Sequence, residues 1–260
     1  MRIKFCGVRG STPVAGGNFT RIGGHTSCVA ISAANELPTL LLDAGTGIQT
    51  LSGAFDGAPF VGTILLTHLH WDHMQGIPFF PPADNDDAYV VVGQPAQGDP
   101  YEVLSRQMSP PSFPIMPDGL RGAWNFVALE SGKHDFGVFT VLARDVVHKG
   151  GRTFGYRVTH DDASFAYVPD ALDANDDAIL ELATDVDLLV RGAPFVSAER
   201  ERADLFGHGT VEHAVDMAQR ANAGRLIITH HAPTRVDAEV EAIAAQHGVT
   251  AATEGMVVEL

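Results

Sequence analysis

The chain has 260 residues, a formal net charge of −15 at pH 7 and 45% hydrophobic residues. That apolar content excludes a disordered chain, and the length suffices for one large domain, 1–260, with its own core. The acidic balance excludes a protein that grips a nucleic-acid backbone by bulk electrostatics, but it leaves room for a local metal-filled cleft.

Two cysteines, Cys6 and Cys28, form no CxxC pair. They support no disulfide framework and fit a reducing, cytoplasmic compartment. No apolar run approaches the ~20 residues of a membrane span. The N-terminus carries no signal-peptide pattern. A soluble protein without a membrane partner is expected.

In chain order, short apolar or alternating runs predict strands over Ile3–Cys6, Ser27–Ser32, Thr39–Asp43 and Thr63–Thr67. After Asp43, the tight turn Ala44–Gly47 leads into a short helix bearing Ile48 and Leu51. Pro78 to Pro117 reads as a long decorated loop, about 78–120, around one strand, Ala88–Val92. Such loops often form one wall of a site. Its apolar stretches, Phe79–Pro82 and Met108–Met116, are expected to shape a pocket, mostly by local packing.

Strands return at Val138–Ala143, Thr153–Val158 and Ser164–Tyr167. A helix at Asp176–Ala183 and a buried strand at Asp187–Val190 follow. Thr210 reads as the N-cap of a helix over Val211–Ala223, stopped by Gly224. Leu226–Thr229 is a strand, Asp237 reads as the cap of Ala238–His247, and Val257–Leu260 as a last strand. Two β-rich halves, each gathering helices toward its end, predict a four-layer αββα sandwich.

The chemistry lies in the histidines. Thr67-His68-Leu69-His70-Trp71-Asp72-His73 offers four ligands within six residues, directly after an apolar run. If the strand continues, side-chain alternation points His68 and His70 to one side, and the following turn presents Asp72 and His73. Imidazoles with carboxylates suit Zn²⁺ and also Mn²⁺ or Fe²⁺. One ion takes three or four protein ligands, so the cluster points to two ions and to donors elsewhere. His148, Asp170 and His230 each follow a strand-like run and complete the set.

These residues resemble the metallo-β-lactamase fold superfamily, in its ribonuclease Z and cyclic phosphodiesterase branch. Five stretches carry the resemblance: Gly7–Ser11, Leu42–Gly47, His68–His73, Tyr167–Asp170, and Gly207-His208-Gly209-Thr210 through His230. The resemblance implies one divalent ion on His68, His70 and His148 and a second on Asp72, His73 and His230. Asp170 would bridge the two, and Asp43 would orient the histidine-rich loop. His231 is the fallback for His230. A homodimer is common among the resembling enzymes.

Two divalent ions, two aspartates and a bridging hydroxide leave about one net positive charge, which suits an anionic phosphodiester. The expected activity is therefore a phosphodiesterase acting on small phosphodiesters or cyclic nucleotides through that hydroxide, with Asp72 as a proton acceptor. The resemblance also makes His208 a helper that protonates the leaving group or contacts phosphate. Gly192 stands where the resembling enzymes carry an acidic residue supporting that histidine. Arg9 is either a phosphate contact or a solvated surface residue, and His25 either lines the site or serves a turn.

Three other readings compete. tRNA 3′ processing would bring a long basic arm, and neither 148–170 nor 171–206 reads as one, so extended nucleic acid is not the expected partner. A thioester or lactone hydrolase shares the fold. A ligand-binding relative of the pyrroloquinoline-quinone accessory protein would be expected to lose ligands that this chain keeps.

Overall fold

The apolar runs of the N-terminal half form one sheet and those of the C-terminal half a second. The computed structural model describes residues 1–34, 36–174 and 176–260. In the first sheet β1 (Arg2–Gly7), β2 (Cys28–Ser32), β3 (Leu40–Leu42), β4 (Val61–Leu65), β5 (Tyr89–Pro95) and β6 (Ala123–Leu129) lie side by side in chain order. β14 (Val257–Glu259) closes the edge beside β1. The second sheet runs β7 (Gly132–Phe136), β8 (Phe139–Val146), β9 (Thr153–His160), β10 (Ala163–Val168), β11 (Leu188–Gly192), β12 (Leu226–Thr229) and β13 (Thr250–Ala251).

The period-two pattern sorts each strand between two faces. Ile3, Phe5, Ile31, Leu40 and Leu42 face the second sheet and meet Val141, Phe154, Phe165 and Val190. Cys6, Cys28, Ala30, Leu41 and Ile64 face outward, beneath α1 (Ser52–Phe55), α2 (Trp71–Met74) and α3 (Pro100–Ser105). Across the second sheet, α4 (Asp176–Ala183), α6 (Val211–Arg220) and α7 (Asp237–His247) cover the opposite face through Ile179, Leu182, Met217 and Ile243. Strands buried on both faces read as almost continuous apolar runs. The four-layer αββα sandwich expected from the sequence is the fold observed.

β3 to β6 are parallel, and so are β10 to β13. Parallel neighbours gather their carboxyl ends on one rim, which is where such sheets place ligands.

Two local expectations are corrected, and one element is added. The decorated loop contains α3 and leads into β6 and β7; the first is half-exposed along its length and the second, Gly-Lys-His-Asp-Phe, is polar. β6, Ala-Trp-Asn-Phe-Val-Ala-Leu, is an apolar run that stays largely unburied, and β7 presents no apolar run at all. The polar stretch Arg200–Phe206, for which no element was read from sequence, is helix α5. Asp237 does not cap its helix, because Val236 holds that position and Glu239 accepts the Val236 N–H at 3.0 Å.

Asp237 instead meets Arg9, which is neither a phosphate contact nor a surface residue. The fully buried Arg9 donates to Asp237 at 2.8 Å, to Gly23 O at 2.8 Å and to Arg235 O at 2.7 Å. Asp237 also accepts the Arg21 N–H at 2.7 Å. The pair ties the β1–β2 connection to α7 across the sandwich. Asp237→Ala leaves a buried guanidinium without its counter-charge, and urea unfolding should read a loss of about 3–5 kcal/mol.

Candidate metal centre

The histidine-rich segment is not a strand continuation. β4 stops at Leu65, and His68 to His70 lie in the loop that enters α2. His68 and His70 still meet, with ring centroids 4.3 Å apart. It is the loop that brings them together, while the first turn of α2 presents Asp72 and His73.

The second sheet supplies the remaining donors from the carboxyl ends of three strands. His148 follows β8, Asp170 follows β10 and His230 follows β12. His230 adopts a left-handed backbone, φ 59°, as does Asp43 at the end of β3, φ 60°. Each such conformation costs a non-glycine residue of order 1–3 kcal/mol, and such strain clusters at functional sites. In His230 it accompanies a ring turned onto Asp170, with Nε2 3.0 Å from Oδ1. The following His231 turns away, its Nε2 3.0 Å from the Ala252 carbonyl. The strand-end register therefore selects His230.

Candidate ligand atoms form two groups, each within 4.8 Å: His68, His70 and His148, and then Asp72, His73, Asp170 and His230. Asp170 stands between them. Its Oδ2 lies 2.7 Å from His73 Nε2 and 3.5 Å from His68 Nε2.

The ring nitrogens that face away from the cluster have partners. His73 Nδ1 meets Asp43 Oδ2 at 2.8 Å, His148 Nδ1 the Gly207 carbonyl at 2.6 Å, and His230 Nδ1 Ser27 Oγ at 3.2 Å. His68 Nδ1 is 3.1 Å from Thr67 Oγ1. These contacts fix ring orientation and leave Nε2 for the centre. His70 is turned the other way, its Nδ1 3.4 Å from His148 Nε2. Asp43 also accepts from Thr67 N at 2.8 Å, Thr67 Oγ1 at 2.9 Å and Tyr167 OH at 3.0 Å. Ser11 N donates to Asp72 Oδ2 at 2.8 Å. No role was read from sequence for Thr67, Ser27, Tyr167 or the Ser11 amide, although Ser11 and Tyr167 lie in stretches that carry the resemblance and Thr67 adjoins His68.

The donor set fits cations. His68 Nε2, His73 Nε2 and Asp170 Oδ1 are buried and have no aligned hydrogen-bond partner among the described residues, although they crowd one another. Atoms that converge on a common space without pairing suit an ion between them. Burial holds His68, His70 and His148 below their ordinary pKa and drives His230 down to about 3, so these rings are neutral and offer lone pairs. Burial opposes protonation of His73 as well, but Asp72, Asp43 and Asp170 outweigh it and raise its pKa. Three carboxylates around one ring leave negative charge for a cation to balance.

Known proteins agree with this architecture. A family profile described as "Beta-lactamase superfamily domain" matches residues 39–231, from β3 to the residue after His230. The chain belongs to the metallo-β-lactamase superfamily. It is 25% identical to a ribonuclease Z of Haloarcula marismortui, over 88% of this chain and 86% of that one. The metallo-β-lactamase fold protein YhfI of Bacillus subtilis superimposes with a TM-score of 0.77 at 19% identity, covering 99% of both chains. Zn²⁺-bound PqqB of Methylobacterium extorquens gives 0.74 at 18% identity over the whole of both chains. The expectation against an extended nucleic-acid partner gains no support from relatives named ribonuclease Z.

His208 reaches the superfamily cluster from the second sheet's side. Its Nδ1 is 3.1 Å from Asp170 Oδ1, and its ring centroid is 5.2 Å from that of His148 and 5.1 Å from that of His230. No carboxylate extends from position 192, for a steric reason: a Cβ on Gly192 would stand 1.5 Å from the Pro169 carbonyl oxygen. The histidine's loop is seated differently. Asp173 Oδ2 accepts from Thr210 N at 3.0 Å and Thr210 Oγ1 at 2.8 Å, and the buried Arg191 lies 3.5 Å from Asp173 Oδ1. Neither residue was singled out from sequence. His25 serves a turn, its Nδ1 3.2 Å from Thr46 Oγ1.

Asp43 touches no other member of the two ligand groups than His73, yet it orients the loop that carries four donors. Asp43→Ala should weaken metal retention about 10–100-fold, measured by competition with a chromogenic chelator.

Proposed function

We propose that this metal-dependent hydrolase of the superfamily cleaves phosphodiesters at the cluster between the two sheets. The observation that carries the reading is Asp170, which stands between the two ligand groups and also faces His208. His68, His70 and His148 would hold one divalent ion, and Asp72, His73 and His230 a second, with Asp170 shared. The nitrogen-rich set with carboxylates suits zinc, and manganese or iron less specifically. When bound, the two ions acidify water and neutralise phosphate oxygens.

The chain's own residues then do three things. The loop, fixed by Asp43, holds the donors in register before substrate arrives. Asp72, ionised because His73 and His230 outweigh its burial, has one oxygen held by the Ser11 amide and presents the other as a proton acceptor. His208 has Nδ1 turned to Asp170, so Nε2 is the nitrogen that remains for the leaving oxygen. The Arg191–Asp173 pair, in place of an acidic residue at 192, keeps His208 there.

Small substrates are favoured by the net charge of −15 and by compact connections. From His148 to Asp170 the chain holds β9 and β10, and from 171 to 206 it holds α4, β11 and α5. No long basic arm occurs among the described residues of either interval. tRNA 3′ processing is the second reading, and the relatives named ribonuclease Z favour it. Thioester and lactone hydrolysis remain the readings of the same fold that a negative result would promote.

Bis(p-nitrophenyl) phosphate should be turned over by metal-loaded protein, and the activity should vanish on chelation and in His68→Ala. A precursor tRNA with a 3′ trailer, a chromogenic lactam and a thioester run in parallel decide among the alternatives. Metal-loaded protein inert on every phosphodiester overturns the proposal. On a diester with an alkoxide leaving group, His208→Ala should lower kcat about 10²–10⁴-fold at unchanged metal content, as expected for loss of a proton donor, and far less on bis(p-nitrophenyl) phosphate, whose leaving group needs no proton. Asp173→Ala, which only misplaces that ring, should cost about 10²-fold, measured in the same assay.

A further inference from the structure

The seat of His208 depends on a carboxylate, and that carboxylate depends on a histidine outside the metal cluster. Asp173 Oδ2 accepts from Thr210 N and Thr210 Oγ1. The loop that it receives runs directly over it, since a Cβ on Gly209 would stand 2.5 Å from Asp173 Oδ1. His208 immediately precedes Gly209, so the placement of its ring follows that of Asp173.

The last torsion of an aspartate is broad, so Oδ2 stays on Thr210 only while Oδ1 is held. Two groups reach Oδ1. Arg191 Nη2 is 3.5 Å away and is committed at 2.9 Å to the Ala171 carbonyl. His213 Nδ1 is 2.9 Å away and has no aligned hydrogen-bond partner among the described residues. The half-exposed Arg200 reaches Oδ2 at 2.7 Å and competes with Thr210 for it. His213 is thus the close grip on the oxygen that the loop does not use.

The grip is itself braced. On the far side of the ring, His213 Nε2 meets Asp176 Oδ1 at 3.0 Å, and Arg220 donates to Asp176 Oδ2 at 2.5 Å. The imidazole therefore reaches from α6 to the first turn of α4 with a carboxylate at each nitrogen. Burial raises the pKa of Asp173, but His213, Arg191 and Thr210 outweigh it, so the carboxylate is charged where it meets the ring. His213 belongs to neither group of candidate metal ligands.

We propose that His213 is a positioning residue for His208 and acts through Asp173. Nδ1 pins Asp173 Oδ1, which leaves Oδ2 to the Thr210 loop and keeps the His208 ring on Asp170. Nε2 only joins α6 to α4. Support that has no room to come from position 192 comes from a helix on the outer face of the sheet. The inference rests on the reading of His208 as proton donor in phosphodiester cleavage.

Substitution separates the two nitrogens, because the amide nitrogen of Asn reaches where Nδ1 stands and that of Gln where Nε2 stands. The assay pairs a 2′,3′-cyclic nucleotide, whose leaving oxygen is an alkoxide, with bis(p-nitrophenyl) phosphate, both on zinc-loaded protein. His213→Ala should lower kcat about 10–10²-fold on the first, the cost of a misplaced ring, and about threefold or less on the second, at unchanged zinc content. His213→Asn should restore most of the loss and His213→Gln little of it. Undiminished turnover in His213→Ala, equal losses on the two substrates, or equal rescue by Asn and Gln each overturns the proposal. A precursor tRNA replaces the cyclic nucleotide if only RNA is cleaved, since its leaving oxygen is also an alkoxide. If no phosphodiester is hydrolysed, the functional reading fails separately. His208 is then followed by its imidazole NMR signals, assigned by their loss in His208→Ala. Signals displaced in His213→Gln and returned in His213→Asn sustain the positioning role, and signals that both variants leave in place or displace alike overturn it.

Discussion

One buried carboxylate organises the protein. Asp43 ends the short central strand β3 in a left-handed conformation and accepts hydrogen bonds from the histidine-rich loop and from Tyr167 on the opposite sheet. It is fully buried, so its charge must be answered locally. Thr67 answers with a backbone and a hydroxyl donor, His73 with its ring and Tyr167 with its phenol. The register of the loop, the orientation of His73 and the approach of the two sheets at this rim are thus set by one side chain.

The same logic explains why the cluster is both crowded and ordered. Asp72 and Asp170 join Asp43 among buried imidazoles, of which only His73 is pushed toward its charged form. Without hydrogen bonds aimed outward from the rings, such a set would rearrange to pair internally. Gly207 O, Ser27 and Thr67 hold the rings against that collapse, so the donor atoms stay directed at a common space. The sandwich contributes rigidity here: donors from the first sheet lie on one contiguous loop, and donors from the second come from three different strands.

Much of this was legible in the sequence because the decisive residues are local. His68 to His73 are contiguous, and His148, Asp170 and His230 each terminate an apolar run, so strand-end placement could be read without knowing how the sheets meet. The αββα layering followed from the grouping of strands and helices. What was not legible depends on distance or on backbone contact. Arg9 and Asp237 pair across almost the whole chain, and nothing near either residue announces the other. The seat of the His208 loop on Asp173 and Arg191 likewise joins separate segments. Gly192 looked like a missing carboxylate, whereas the contact with Pro169 makes it a position with no room for a side chain. β7 lacks the apolar signature because it lies at a sheet edge, and β6, at the edge of the other sheet, carries an apolar run that it leaves largely unburied.

The division of donors between two sheets has a thermodynamic consequence. An ion held jointly by the loop after β4 and by the ends of β8, β10 and β12 bridges halves of the molecule that otherwise meet through the apolar core and a few buried polar links such as Arg9–Asp237 and Asp43–Tyr167. Such an ion binds the folded chain and has no assembled site in the unfolded one. Folding and metal supply are then linked by mass action, each hundredfold excess of free ion over its dissociation constant adding about 2.7 kcal/mol. The melting temperature of this fold becomes a reading of the metal available to it, and a protein starved of metal is one whose two halves are held only by packing and a few buried hydrogen bonds.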